Sequence, residues 1–156
     1  MTALSKWLLV VSLALWLGTV VFFSFGVAPS VFAVLPRAQA GQLVSAVFPI
    51  YYGVGYGCGA VLVVSALILF RAGRPGGARW AATAVIASLM LAATLYAGRV
   101  VQPQAHTLRA SLYDPNAPAA VKEDFDRLHR RAVQLNGAVL VGGLVISAIT
   151  AASLRP

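Results

Sequence analysis

From Lys6 to Arg37 the chain carries no charged side chain, and this restricts its fold more than any other feature. The gap exceeds the roughly 20 apolar residues that cross about 30 Å of hydrocarbon at a 1.5 Å rise per residue. Three further stretches meet the same test. Spans are read over about residues 7–34, 43–70, 80–102 and 122–154, the third apolar from Trp80 to Gly98 and the fourth from Ala132 to Leu154. In lipid each backbone group must be satisfied within its own segment, which at this length leaves helices alone. The expected fold is all-α: a single integral membrane domain, a four-helix transmembrane bundle of two antiparallel hairpins, 1–2 and 3–4.

Composition agrees and excludes the alternatives. Residues are 60% hydrophobic and 10% charged, whereas a soluble domain is about a quarter charged. One cysteine rules out a disulfide scaffold, and high hydropathy rules out disorder. Ala38-Gln39-Ala40 resembles a cleavage site, yet the apolar run before it is far longer than the 7–15 or so residues of a signal core, so it reads as a retained helix. The net charge of +8 lies in short flanks of the spans. It therefore points to anionic lipid headgroups and not to nucleic acid.

The connections differ. Arg71 to Arg79 is a tight basic turn in which glycines and Pro75 stop both helices. Pro103 to Lys122 reads as a connection of about 20 residues outside the bilayer, punctuated by Asp114-Pro115-Asn116 and Pro118. Glu123 with Arg127, and Asp126 with Arg130, are spaced i,i+4 on a solvated helix that starts near Pro118 and continues into the membrane. One side of the membrane carries Lys6, Arg71, Arg74, Arg79 and Arg155 without acids; the other carries seven bases offset by four acids. Raw counts favour the second side as cytoplasmic. The short three-arginine turn is the loop the positive-inside rule weighs most, so the expectation is N-in and C-in in a bacterial inner membrane.

Glycines 53, 55, 57 and 59 form two overlapping small-xxx-small pairs, expected to mark a helix crossing, as are Gly18, Ala138, Gly142 and Gly143. They lie inside an apolar span and not in a strand–turn–helix, which excludes a dinucleotide loop. Cys58 reads as an inert thiol. Trp16, near mid-span, fills the bundle core with its N–H turned to Ser12 or Thr19.

Polar residues gather at one mouth. Arg37, Phe48, Pro49, Tyr51, Tyr52, Arg99, His129 and Asn136 fall in one half of the membrane, while the opposite half is aliphatic. Ionisable or amide groups at such depth point to function. Pro49 removes a helical hydrogen bond and leaves a carbonyl free near Ser45. The expected cavity is lined by Arg99, His129, Asn136 and Tyr51, with Tyr52, Arg37, Phe48 and Pro49 around it. Arg99 and protonated His129 would favour an anion, and neutral His129 could ligate a metal. A bis-histidine haem is disfavoured, because His106 falls in the loop and His129 on a helix. Ser24 and Ser45 lack a neighbouring acid and base, and no span holds paired carboxylates, so no enzyme is expected.

Leu35-Pro36-Arg37, then Gly41, Ser45 and Phe48-Pro49-Ile50-Tyr51, resemble the first loop and second helix of the transmembrane protein 205-like family, whose bacterial members form a domain of unknown function. Arg99 with Pro103, and Phe125 with His129 and Asn136, continue the resemblance through the third and fourth helices. Ala132 departs from it, since the eukaryotic member has a serine three residues after the histidine. The resemblance implies a four-helix membrane protein, and the eukaryotic member's link to platinum-drug resistance implies handling of a soft-metal complex. The hairpin plan is more distantly similar to the copper-resistance protein D group and the membrane protoporphyrinogen oxidase. The expected function is binding or transport of a small solute or metal complex, the cofactor being undefined. The alternatives are a structural subunit, in either case a candidate homo-oligomer, and a haem- or copper-linked redox protein.

Overall fold

The computed structural model describes residues 2–72, 76–112 and 118–152. Among these the chain is helical with short breaks, and four helices are long and apolar enough to cross a membrane: Thr2–Val34, Arg37–Arg71, Gly77–Arg109 and Ala119–Ala152. The protein is a multi-pass integral membrane protein of the expected all-α class. Consecutive spans pack against each other, most extensively the second on the third, and the seam between the first and the fourth is thinner. Both expected hairpins are present, and the second and third spans join them.

The first and third spans are not uniform. The first comprises α1 (Thr2–Val21), a π turn (Phe22–Val27) and α2 (Ala28–Val34). The third comprises α4 (Gly77–Tyr96), a π turn (Ala97–Val101) and α5 (Gln102–Leu112). Each π turn ends two residues before a proline, Pro29 or Pro103. A proline has no N–H for the carbonyl four residues back and crowds that carbonyl, and a wider turn relieves both defects. The wide bonds are Ala28 N–H to the Phe23 carbonyl and Gln102 N–H to the Ala97 carbonyl. The second span is α3 (Arg37–Arg71), which runs through Pro49 as one helix, and the fourth is α6 (Ala119–Ala152).

Two boundaries and one ion pair differ from the sequence reading. α3 begins at Arg37, straight after an extended Leu35-Pro36 break, because the residue before a proline avoids helical geometry. The third span continues as helix to Leu112, so Pro103 and His106 are helical and not in a loop. Pro103 stands in the first turn of α5, where a missing N–H is tolerated. Arg127 pairs with Asp124 at 2.5 Å, three residues back, and not with Glu123. The turn between the second and third spans needs Gly76, whose φ of +107° lies in the left-handed region. Pro75, Arg74, Asp114-Pro115-Asn116 and Arg155 lie outside the described residues.

The half of the bundle near the termini is packed mainly by apolar side chains, with the small polar groups of Ser5, Ser12, Ser65 and Thr83 buried among them. Leu9, Leu13, Leu62, Ala66, Ala87, Met90 and Ile146 form one buried cluster with Trp16. Trp16 lies across two of the four alternating glycines. A Cβ on Gly55 would stand 3.2 Å from its Nε1, and one on Gly59 3.2 Å from its Cζ3. Gly53 and Gly57 are exposed with nothing within 4 Å, since two residues turn a helix by about 200° and place them on the opposite face. One glycine pair therefore packs, not two. Gly142 and Gly143 pack on Met90 and Leu17, whereas Gly18 and Ala138 face outward. Ser12 and Thr19 donate to carbonyls of their own helix, those of Leu9 and Leu15.

Candidate functional site

Beyond this half the bundle changes character. Asn136, half-buried on α6, projects between the first and second spans. Its Oδ1 accepts a hydrogen bond from the Tyr51 hydroxyl of α3, and its Nδ2 donates to Ser24 Oγ, inside the first π turn, at 2.8 Å. One amide thus ties three spans. In a lipid-exposed bundle an unpaired amide is costly, and pairing across helices is the remedy.

Aromatic rings pack around this chain. Phe23 lies 4.8 Å from Tyr51 and 5.6 Å from Phe48 between ring centroids. Tyr52 lies 5.2 Å from Tyr51, and Tyr56 stacks on Tyr52 at 6.3 Å. The tyrosines reach the third span because residue 98 is glycine; a Cβ there would stand 2.7 Å from Tyr52 Cγ.

A cavity lies beside the Asn136 amide, with all four spans contributing to its wall: Trp16 and Thr19, Tyr51 and Tyr52, Thr94 and Ala97, Leu135 and Asn136. Its volume is ≈ 20 Å³, room for one water on the scale of the roughly 10–15 Å³ that a water requires. No charged side chain lines it. Thr94 Oγ1 donates to the Met90 carbonyl at 2.9 Å, so the polar wall consists of the Asn136 amide and the tyrosine and threonine hydroxyls.

The structure therefore divides the residues anticipated from sequence. Tyr51, Tyr52 and Asn136 share the cavity, and Phe48 packs on the rings beside it. Arg99 and His129 do not join them. Arg99 is exposed and lies over the Tyr56 ring, 5.6 Å from its centroid. His129 is exposed and stacks on Phe125, one turn back, at 6.4 Å. Arg37 and Pro49 lie on the exposed side of α3. Among the described residues no three of His, Cys, Asp and Glu gather where they would hold a metal.

Four contributors escaped the sequence reading as members of the site: Ser24, Trp16, Thr94 and Phe23. Ser24 stands out only as a hydroxyl within Phe22-Phe23-Ser24-Phe25, which does not tell a partner on another helix from a carbonyl of its own. Arg109 also takes an unforeseen part. Its Nη1 donates to the Gly41 carbonyl at 2.6 Å, and its guanidinium lies 5.6 Å from the Phe125 ring centre, so it binds the outer ends of the second, third and fourth spans.

Residues 11–114 match the model of a family described as a domain of unknown function, DUF4149. The match takes in Ser24, Tyr51 and Thr94, while Asn136 lies beyond it. An uncharacterized protein of Aquifex aeolicus (strain VF5) is 39% identical over 102 residues, covering 65% of this chain and 70% of that protein. No solved structure matches.

Proposed function

We propose, for a chain that belongs to the DUF4149 family, that the polar tie at Asn136 marks where a small uncharged solute passes to or from one face of the membrane, the ≈ 20 Å³ cavity beside it holding no more than a water until the surrounding helices part. The observation that carries this reading is the cavity itself. All four spans contribute to its wall, which combines the Asn136 amide with tyrosine and threonine hydroxyls, and no charged group lines it. With no charge on the wall, and with the Tyr51, Thr19 and Thr94 hydroxyls already donating, this reading favours a neutral molecule that accepts from the Tyr52 hydroxyl or the second Asn136 amide hydrogen over the anion or metal complex expected from Arg99 and His129. The termini and the basic turn then face a bacterial cytoplasm and its anionic headgroups, and the aromatic mouth faces outward.

The test is native mass spectrometry of the protein extracted from membranes in mild detergent, comparing wild type with Asn136→Leu combined with Tyr51→Phe. A small-molecule adduct on the wild type, absent from the variant, supports binding. A structural reading has its own observation: the Asn136 amide is already paired by Tyr51 and Ser24. It predicts no adduct on either protein and a lowered melting temperature in the variant.

A further inference from the structure

We propose that the outer half of the bundle is a hinged gate over this cavity, with the two π turns as hinges and the Tyr51–Asn136–Ser24 chain as latch. The gate's purpose rests on the cavity being a binding site; its motion is inferred from the helices alone. The first and third spans share one plan. Each begins with 20 residues of α-helix, passes through a π turn and meets a proline two residues later. The second and fourth spans are unbroken helices of 35 and 34 residues. The molecule is thus two hairpins of one build, each pairing a helix that contains a π turn with one that does not, and π turns occur frequently at functional sites. Here Ala97 of one π turn lines the cavity, and Ser24 of the other bonds the Asn136 on its wall.

A π turn is an α-helix with an extra residue held in one turn. Its relaxation to α geometry moves everything beyond it by about 1.5 Å along the axis and about 100° around it. Pro29 and Pro103 hold the wide form, since neither can donate to the carbonyls of Phe25 and Arg99. The latch spans the weakest seam, between the first and fourth helices. Inward of it, Leu9, Leu62 and Ile146 are almost wholly buried in one cluster. Outward of it Ala97 and Val101 are buried and Arg109 ties α5 to the Gly41 carbonyl and to Phe125, so opening starts where the first span leaves the fourth and has to break the Arg109 tie where the third span turns.

Distances between spin labels on the full chain in lipid nanodiscs test this, in a Cys58→Ala background. The outer pair is Val34→Cys with Arg131→Cys, and the inner pair is Leu4→Cys with Ala148→Cys, all at exposed positions. Opening the latch with Ser24→Ala, or restoring the N–H with Pro29→Ala, should shift or broaden the outer distance by about 5 Å or more, because a 100° turn carries a side chain across much of a helix about 10 Å wide. The inner distance should not change. Identical outer distributions in wild type and both variants would overturn the gate, as would equal shifts in both pairs, which signal general loosening. Should either first-span variant fail to fold, Pro103→Ala with labels at Val34 and His106 is judged by the same criteria on the second hinge. No ligand enters these measurements, so an immobile outer half overturns the gate alone, while an adduct lost or kept in the mass spectra decides the cavity.

Discussion

The Asn136 side chain sets the energetics of the site, because both its oxygen and its nitrogen are engaged by other helices. Interhelical hydrogen bonds in membranes contribute roughly 0.6 kcal/mol each and at most about 1.7. Replacing Asn136 with Leu should therefore lower stability by about 1–2 kcal/mol, with Tyr51→Phe costing about half as much. In a double-mutant cycle read by detergent unfolding the two should couple by roughly 0.5–1 kcal/mol, and additive effects would place Tyr51 outside the tie. A second contrast lies in the glycines. Gly59→Ala pushes a Cβ to 3.0 Å from Trp16 Cη2 and should cost about 1–3 kcal/mol. Gly53→Ala and Gly57→Ala meet open space and should stay within about 0.5 kcal/mol of wild type in the same assay. The sequence showed that glycines would govern a crossing, but 53/57 and 55/59 have identical spacing on opposite faces. Only the position of Trp16, a tertiary fact, selects between them. Asn136 and Tyr51 were legible because polar groups at that depth need partners; Ser24 was not, because a serine can satisfy itself on its own helix.

At the level of elements, the number of helices was legible and their outer ends were not. Hydropathy reports where lipid stops, and helices need not stop there. Pro103 read as a terminator, yet after a π turn it opens α5, a substitution of roles that periodicity does not reveal. The extended ends are held by contacts between different elements. Arg109 joins α5 to the Gly41 carbonyl of α3 and to Phe125 of α6. A charge-assisted hydrogen bond and a cation–π contact together suggest about 1–2 kcal/mol. Arg109→Ala should therefore raise amide hydrogen exchange about tenfold across 103–112 and 119–128, with little change in 84–94. Arg109→Lys should restore little of the protection, since an ammonium cannot both bond a carbonyl and stack its plane on a ring. Uniform exchange changes along the chain would remove Arg109 from this role.

For the molecule as a whole, length is the controlling quantity. A helix of 34 or 35 residues extends about 50 Å, whereas hydrocarbon occupies about 30 Å. Roughly 20 Å of bundle must therefore stand outside the lipid, unless the helices tilt steeply. In the terminal half the charges stand only at the helix ends, at Lys6, Arg71 and Arg79, with Trp80 beside the last, while the other half contains Gln102, Gln104, His106 and the charged run from Lys122 to Arg131. The overhang thus belongs to the mouth side, and the helix lengths place Tyr51, Ser24 and Asn136 toward the outer boundary of the hydrocarbon. With N-in orientation this overhang is external. Single cysteines replacing His106 and Glu123, in a Cys58→Ala background, should react with a membrane-impermeant maleimide in intact cells, while those replacing Leu89 and Val141, exposed only to lipid, should not. Lys6→Cys should react only after the cells are broken. The opposite pattern for Lys6 and Glu123 would invert the orientation and keep the overhang, because both hairpins would turn over together. Equal reactivity at Leu89 and Glu123 would instead displace the hydrocarbon boundary, and with it the position of the polar tie at the membrane surface.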